Sequence, residues 1–372
     1  MRHNQQIMKI VIVTHLIYPA LNPRAFRSTE LAKEFARQGH DVRLYAVTGN
    51  YDYTDFMKET GIKVCPIKPK FDTVNAGSAK ASLFRRACRK LSYYFFDFPH
   101  IEMSWLSYKL LKEEENIDLL VTIAYPHPIH WGAAFLKKHS PQNFAKTWIS
   151  DCGDPYMLNP LEKRRWYFKY MEEFWGRMTD YITIPIEEAK KSYYPSVQSK
   201  LRIIPQGFNF TNIKLDTYQK HNIPHFAYAG SIYAGSRDPT TFLQYLMTLK
   251  HDFRFTVYTK TPAFFEEFKN KLGDKLQIRT FIPREQLIFE LSGQDFLINL
   301  TNPFSVQAPS KLIDYALTQR PIVRISTPFN EEEKMQKIFD KGEVDNDYAD
   351  IDISAYDIRN VADAFLALTD RT

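Results

Sequence analysis

This sequence predicts an α/β protein of two doubly wound domains, each a mostly parallel sheet with helices on both faces. Three observations carry that reading. The 372 residues, 44% of them hydrophobic, can fill more than one core. Short β-rich runs alternate with helical stretches through the first half of the chain. A polar stretch from Pro205 to Pro224 then interrupts the pattern, and the same alternation begins again. The domains are expected at 1–205 and 206–353, followed by a terminal helical segment at 354–372. Ligands of such sheets bind beyond the carboxyl ends of the strands, so the two domains are expected to face each other across a cleft.

In the first domain, Met8–Thr14 is a buried opening strand, too short for a signal h-region. A Pro-Ala-Leu-Asn-Pro loop leads to a helix over Arg24–Gln38, stopped by Gly39. Strands follow at Val42–Val47, Ile62–Cys65, Leu119–Ile123, Lys146–Ile149, Tyr181–Ile184 and Leu201–Ile204. Helices are expected at Ile129–Lys138, Leu161–Arg177 and Ile186–Tyr194.

The second domain reads strand His225–Ala229, helix Pro239–Leu249, strand Arg254–Tyr258, helix Pro262–Leu272 and strand Leu276–Thr280. Helix Arg284–Leu291, strand Asp295–Leu300, a capped helix opened by Ser310, and strand Ile322–Ile325 complete it. The last helical segment, Ser354–Leu368, has a periodicity that fits a place on either domain.

The bulk properties narrow the partners. A net charge of +6 from 49 basic and 43 acidic side chains suits an anionic small substrate or a membrane surface, and does not demand nucleic acid. No recognition helix, zinc-finger spacing or RNA-binding aromatic pair is present. Cys65, Cys88 and Cys152 are isolated; without a secretion signal they favour a reducing, cytoplasmic setting. No run approaches the roughly 20 apolar residues that cross a bilayer.

Residues 309–323 are the most informative segment. Ser310 reads as an N-cap, Lys311 and Asp314 follow in the helix, and Gln319-Arg320-Pro321 stops it. Serine, free backbone N–H groups and lysine make an anion-binding end, while the Asp314 carboxylate suits the two hydroxyls of a ribose. An ordinary capped helix is the bland alternative. The loop from Gly230 to Pro239 follows the first strand of the second domain: Gly230 allows close backbone approach, Ser231 donates hydrogen bonds, and Arg237 offers a fork for diphosphate oxygens. A plain turn with a solvated arginine is its counterpart. Lys260, beyond the strand ending at Tyr258, is a second cation.

In the first domain no Gly-x-Gly-x-x-Gly fingerprint follows the opening strand. Arg24 and Ser28 stand there as phosphate contacts or as surface and cap residues. His127 and His130 lie at the next strand end, as candidates for hydrogen bonds to substrate hydroxyls or, for His130, packing on the following helix. Asp151 and Asp154 follow the strand after that, to orient an acceptor hydroxyl or to cap. No short ligand spacing among these groups supports a metal. Between Lys80 and Phe98, Leu83, Ala87, Leu91, Tyr94 and Phe98 form a helical stripe, with Arg85, Arg86, Arg89 and Lys90 on much of the opposite arc. That pattern fits an anionic membrane contact and equally a core-facing helix with a wet basic back.

Together these motifs resemble the retaining GT-B glycosyltransferases of the GT4-like group, particularly bacterial enzymes of surface-polysaccharide assembly. The resemblance runs over nearly the full length. It is carried by Asn22–Ala32 with Gly39–Val42, by Tyr228–Ser231, by Arg237-Asp238-Pro239, and most specifically by Pro309–Ala316. It implies a nucleotide-sugar donor, a UDP- or GDP-sugar, held mainly by the second domain. It further implies no cofactor or divalent metal, and a glycan or polyprenyl-linked acceptor on the first domain. By resemblance, Arg237 neutralises the diphosphate, Asp314 takes the place of the second glutamate of a Glu-x7-Glu pattern and binds ribose, and His127, with His130 as the alternative, contacts the donor sugar. The terminal helix is implied to cross back to the first domain.

Two departures stand out. Ser231 occupies a place where an arginine is common, which leaves Lys260 to supply charge. Val306 replaces the first glutamate, which leaves neighbouring Gln307 or backbone groups to hold the sugar. A catalytically impaired nucleotide-sugar-binding subunit is therefore the first alternative. A sugar-nucleotide epimerase is the next, and a nicotinamide dehydrogenase is disfavoured by the missing glycine fingerprint.

Overall fold

The computed structural model describes residues 6–71, 83–159, 162–232, 238–301 and 310–370, except the side chains of 83–89 and 310. The chain divides into two compact units, one of Met1–Asn209 with Ala355–Thr372 and one of Phe210–Ser354.

The first unit contains β1 (Lys9–Val13), α1 (Pro23–Arg37), β2 (Asp41–Ala46), α2 (Thr54–Thr60), β3 (Lys63–Pro66), α3 (Leu83–Phe96) and α4 (Glu102–Lys112). It continues with β4 (Leu119–Ala124), α5 (Pro128–His139), β5 (Thr147–Cys152), α6 (Phe168–Met178), β6 (Tyr181–Ile184), α7 (Pro195–Gln198) and β7 (Leu201–Ile203). The strands form one parallel sheet in the order β3-β2-β1-β4-β5-β6-β7. Alternation along β1 sends Val11 and Val13 into one core, with Leu120, Trp148 and Trp175, and Ile10 and Ile12 into the other, with Leu119, Val121 and Ile149. Every residue of β4 and β5 is buried, as central strands covered on both faces require.

Helix α1 starts where Asn22 accepts hydrogen bonds from the backbone N–H groups of Arg24 and Ala25, with Pro23 in the first turn. The helix expected over Leu161–Arg177 is confined to Phe168–Met178: Leu161 lies outside the described residues, and the segment before α6 is drawn away as Arg164 pairs with Asp97 at 3.2 Å. Instead of one helix over Ile186–Tyr194, a 3₁₀ turn spans Glu187–Ser192, because Pro195 holds Tyr194 extended ahead of α7. Helices α2 and α4 stand in addition to those expected from the sequence.

The second unit contains β8 (His225–Ala229), α8 (Thr240–Thr248), β9 (Arg254–Tyr258), α9 (Glu266–Leu272), β10 (Leu276–Arg279) and α10 (Arg284–Ser292). Then come β11 (Phe296–Thr301), α11 (Ser310–Leu317), β12 (Ile322–Ser326) and α12 (Glu332–Lys341), the last also additional to the expected helices. Its parallel sheet has the order β10-β9-β8-β11-β12. The register sets Phe226 opposite both Phe255 and Phe296, and each ring centroid is 4.8 Å from that of Phe226, giving three strands one aromatic ladder. Ser310 is the first residue of α11 rather than a residue ahead of it.

The chain ends in α13 (Ile358–Leu366), which packs on α1 within the first unit, with Phe365 edge-on to Phe35 and the Arg27 guanidinium 5.0 Å from the Phe365 ring. Each sheet reverses its strand order once, between β1 and β4 in the first unit and between β8 and β11 in the second. At such reversals neighbouring connections leave on opposite faces, and ligands enter at the carboxyl ends of the strands.

Candidate functional site

At the reversal in the second unit, β8 runs into Gly230 at φ +151°, where an added Cβ would come within 2.9 Å of the Tyr228 hydroxyl. That position needs glycine. Tyr228 donates its hydroxyl to the Ser231 carbonyl at 3.2 Å, and the Lys311 Nζ lies 4.5 Å from the Tyr228 ring centroid. Tyr315 locks α11 onto the same strand end: its hydroxyl accepts from Ala229 N–H at 2.7 Å and donates to the Ala229 carbonyl at 3.2 Å. Gly230, Ser231 and Lys311 are thus joined through Tyr228 beside the N-terminus of α11.

Asp314 lies one turn further along α11. Its Oδ1 accepts from Arg284 Nε at 2.8 Å, with Arg284 Nη2 at 2.6 Å. Burial pushes the Asp314 carboxyl up from its ordinary pKa, and Arg284 opposes that rise. Lys260 stands one strand further out, with Nζ 4.6 Å from the Phe281 ring centroid. Arg237 and Gln307 lie outside the described residues, as do Val306 and the Ser310 side chain.

In the first unit, His127 sits just past β4 at the start of α5 and is buried. Its Nε2 is 3.2 Å from the Asp154 carbonyl oxygen, which can only accept. Nε2 therefore carries the ring hydrogen. Burial first, then the nearby His130 and Arg164, hold the ring's pKa well below the ordinary value, so it is neutral and Nδ1 is an acceptor. Among the described residues, the buried Nδ1 has no hydrogen-bond partner. A hydroxyl group has the chemistry to satisfy it.

The Tyr156 ring lies against His127, with centroids 4.8 Å apart. Tyr156 in turn donates to Asp97 Oδ2 at 3.1 Å and carries the Arg164 guanidinium 4.2 Å from its ring centroid. Asp97, Tyr156 and Arg164 are not distinguished by the sequence, since an isolated Asp or Arg in a loop gives no spacing signal. Arg284 did leave a signal: an arginine at the first residue of a helix opposes the helix dipole and asks for an anionic partner.

Other first-domain candidates have structural roles. His130 Nδ1 pairs with Thr122 Oγ1 at 2.8 Å, and its ring packs on Trp175 at 4.7 Å, so it is a core residue. Asp151 is buried in a fork from Arg27, with Thr183 donating at 2.7 Å, and is not presented to an acceptor. Ser28 donates to the Leu16 carbonyl at 2.8 Å, a loop anchor inside the protein. Arg24 pairs with Asp154 at 2.9 Å across Gly153. Among the described residues, no three His, Cys, Asp or Glu side chains gather as metal ligands, and no helix is long and apolar enough to cross a membrane.

No family model matches this chain, and no curated protein matches it in sequence. Solved structures do match in fold. A glycosyltransferase from Rickettsia africae ESF-5 aligns over 98% of this chain and 96% of its own, at 15% identity and a TM-score of 0.59. The lipopolysaccharide outer core galactosyltransferase WaaB aligns over 98% and 95%, at 12% identity and 0.52. Anabaena Alr3699/HepE, solved in complex with UDP and glucose, aligns over 98% of both chains at 10% identity and 0.51. The shared architecture is GT-B, with two Rossmann-like units.

Proposed function

We propose that this chain is a metal-independent retaining glycosyltransferase, moving a sugar from a UDP- or GDP-sugar to a hydroxyl of a glycan or lipid-linked acceptor. The observation that carries this reading is the end of β8 in a GT-B fold. There a required glycine, Tyr228 and Lys311 stand beside a helix N-terminus, and a carboxylate follows on the same helix. A glycine that admits close backbone approach, a cation beside a helix N-terminus and a carboxylate acceptor, in that order, suit a nucleoside diphosphate.

In the proposed reaction, Lys311, the α11 N-terminus and Arg237 hold the diphosphate, with Lys260 as a further cation. Asp314 accepts hydrogen bonds from the ribose. Gly230 and Ser231 give the phosphates close backbone approach, Ser310 and Gln307 offer polar contacts, and His127 Nδ1 accepts a hydrogen bond from a sugar hydroxyl. The acceptor oxygen attacks the anomeric carbon from the leaving-group side as the bond to the diphosphate breaks. A diphosphate oxygen takes the acceptor proton, so the configuration is retained without a protein nucleophile. Cations and backbone donors stabilise the charge developing on the leaving group.

Val306, where the resembled family carries glutamate, favours a second reading: a subunit that binds nucleotide sugar without turnover. A mass-resolved screen of UDP- and GDP-sugars against mixed glycan and polyprenyl-linked acceptors separates the two. Glycosylated product supports the transferase; binding without product from any acceptor supports the second reading. Absence of nucleotide binding removes both.

We also propose a cytoplasmic location with peripheral contact on an anionic membrane. Leu91, Tyr94 and Phe96 on α3 are exposed, as are Trp166 and Tyr170, and Arg165 lies over the Tyr94 and Phe95 rings to join the two segments. Exposed aromatic residues beside cations suit a lipid interface. The side chains of Leu83, Arg85, Arg86, Ala87 and Arg89 lie outside the described residues, as does Lys80. Flotation with anionic vesicles but not with neutral ones is the expected result; equal recovery without lipid would discard the contact.

A further inference from the structure

Arg284 is the first residue of α10 and reaches α11, where its Nε donates to Asp314 Oδ1 at 2.8 Å and its Nη2 lies 2.6 Å from the same oxygen, outside hydrogen-bond geometry. No described residue hydrogen-bonds Oδ2. A carboxylate offers about four lone-pair sites, so this arrangement leaves acceptor capacity concentrated on Oδ2 while the guanidinium tethers the carboxylate through Oδ1.

The pair is costly as a mere tie between two helices. The guanidinium sits at the positive end of the α10 dipole, and the carboxylate is largely withdrawn from water. Two apolar side chains would join α10 to α11 without either penalty. A fixed, charged acceptor is what the arrangement gains.

We infer that Arg284 is a positioning residue for nucleotide recognition, holding Asp314 so that Oδ2 accepts from a ribose hydroxyl. The inference rests on the reading of Asp314 as the ribose carboxylate. It adds that an ion pair, rather than a lone carboxylate, presents the acceptor.

The test uses the full chain and calorimetric titration with UDP, GDP and ADP, each beside its 2′-deoxy counterpart. Wild type is expected to bind one of the three and to prefer the ribonucleotide. Arg284→Gln should weaken the ribonucleotide about tenfold and bring the ribo-to-deoxy ratio close to one, as expected for one misplaced charge-assisted hydrogen bond. Arg284→Lys, with charge but no fork, should recover only part of the preference. In turnover the Gln variant should raise the donor KM and leave kcat nearly unchanged.

If Arg284→Gln keeps the wild-type ribo-to-deoxy ratio and affinity, Arg284 is a helix tie and the inference fails while the nucleotide reading stands. Tighter binding by the variant would show that Arg284 occludes Asp314, which also overturns it. A wild type that binds nucleotide but ignores the 2′-hydroxyl removes Asp314 from ribose recognition and Arg284 with it. A wild type that binds none of the probes defeats the underlying reading first. Should Arg284→Gln fail to fold, Arg284→Lys carries the same comparison.

Discussion

Replacing Arg27 with methionine should destabilise the first unit by about 3–5 kcal/mol, the usual cost of leaving one member of a buried ion pair alone. The Arg27 and Asp151 side chains are only 3% and 5% exposed. The substitution keeps an unbranched chain but removes bonds of 3.1 and 2.9 Å to Asp151 and one of 2.6 Å to the Pro205 carbonyl, leaving Thr183 as the side-chain donor to the carboxylate. For a unit of this size the loss corresponds to a Tm lower by roughly 6–20 °C. All five tryptophans fall within Met1–Asn209, so tryptophan fluorescence in a urea titration reads the unfolding of this unit specifically.

Two controls sharpen the result. Arg27→Met with Asp151→Asn should cost less than Arg27→Met alone, because no charge is left stranded. Burial pushes the Asp151 carboxyl up, but Arg27 and Thr183 outweigh it and its pKa is lowered. A depressed carboxylate contributes stability above its unfolded value, about 4, and loses it as pH falls through the folded pKa; the gap between wild type and Arg27→Met should therefore narrow in acid. A loss under about 1 kcal/mol at pH 7, against the magnitude expected for a stranded buried charge, would refute the reasoning. So would a double variant less stable than the single one.

Glu172 is fully buried and accepts from Met157 N–H at 2.8 Å through Oε2, and among the described residues Oε1 has no partner. Burial raises its pKa to about 7 against the opposing Met157 bond. The folded protein thus holds a proton that the unfolded chain releases above about pH 4.3, and stability falls as pH rises through that window. Glu172→Gln should gain roughly 1–3 kcal/mol over wild type at pH 8 and little at pH 4.5, read by the same fluorescence titration; a pH-independent difference would contradict it. Gly132 lets α5 approach α4, and a Cβ there would stand 2.0 Å from Ser107 Oγ and 2.2 Å from the Ser104 carbonyl oxygen. Gly132→Ala should cost about 2–3 kcal/mol in urea unfolding, and an unchanged midpoint would show that the two helices yield freely. On the proposed transferase reading, His127→Ala should lower kcat/KM about tenfold through loss of one acceptor. Because the His127 pKa is held well below its ordinary value, the wild-type pH–rate profile from about pH 5.5 to 8 should carry no step that the variant abolishes.

The β-α alternation, the first helix with its Gly39 stop, and the strand cores of both sheets were legible in the sequence, and so was the fold class. Those features are local: side-chain period, capping and turn chemistry act within a few residues. The candidate site was legible where it follows a strand end, as with His127, Gly230 and the start of α11. Its charge partners were not.

Arg27 and Asp151 are 124 residues apart, and Arg284 and Asp314 are 30 apart on different helices. Nothing in local spacing says that one candidate aspartate will be buried in a fork while another retains acceptor capacity on Oδ2. His130 and His127 likewise look alike three residues apart, yet one satisfies Thr122 inside the core and the other keeps a buried Nδ1 with no partner among the described residues. By itself the sequence determined which segments become the strands of both sheets and which residue types stand at the strand ends. The tertiary structure alone decided which charges neutralise each other, which face of α1 receives the last helix, and which histidine is left with chemistry to do. Those outcomes depend on desolvation and on partners brought together across the fold, and both arise only once the chain has closed on itself.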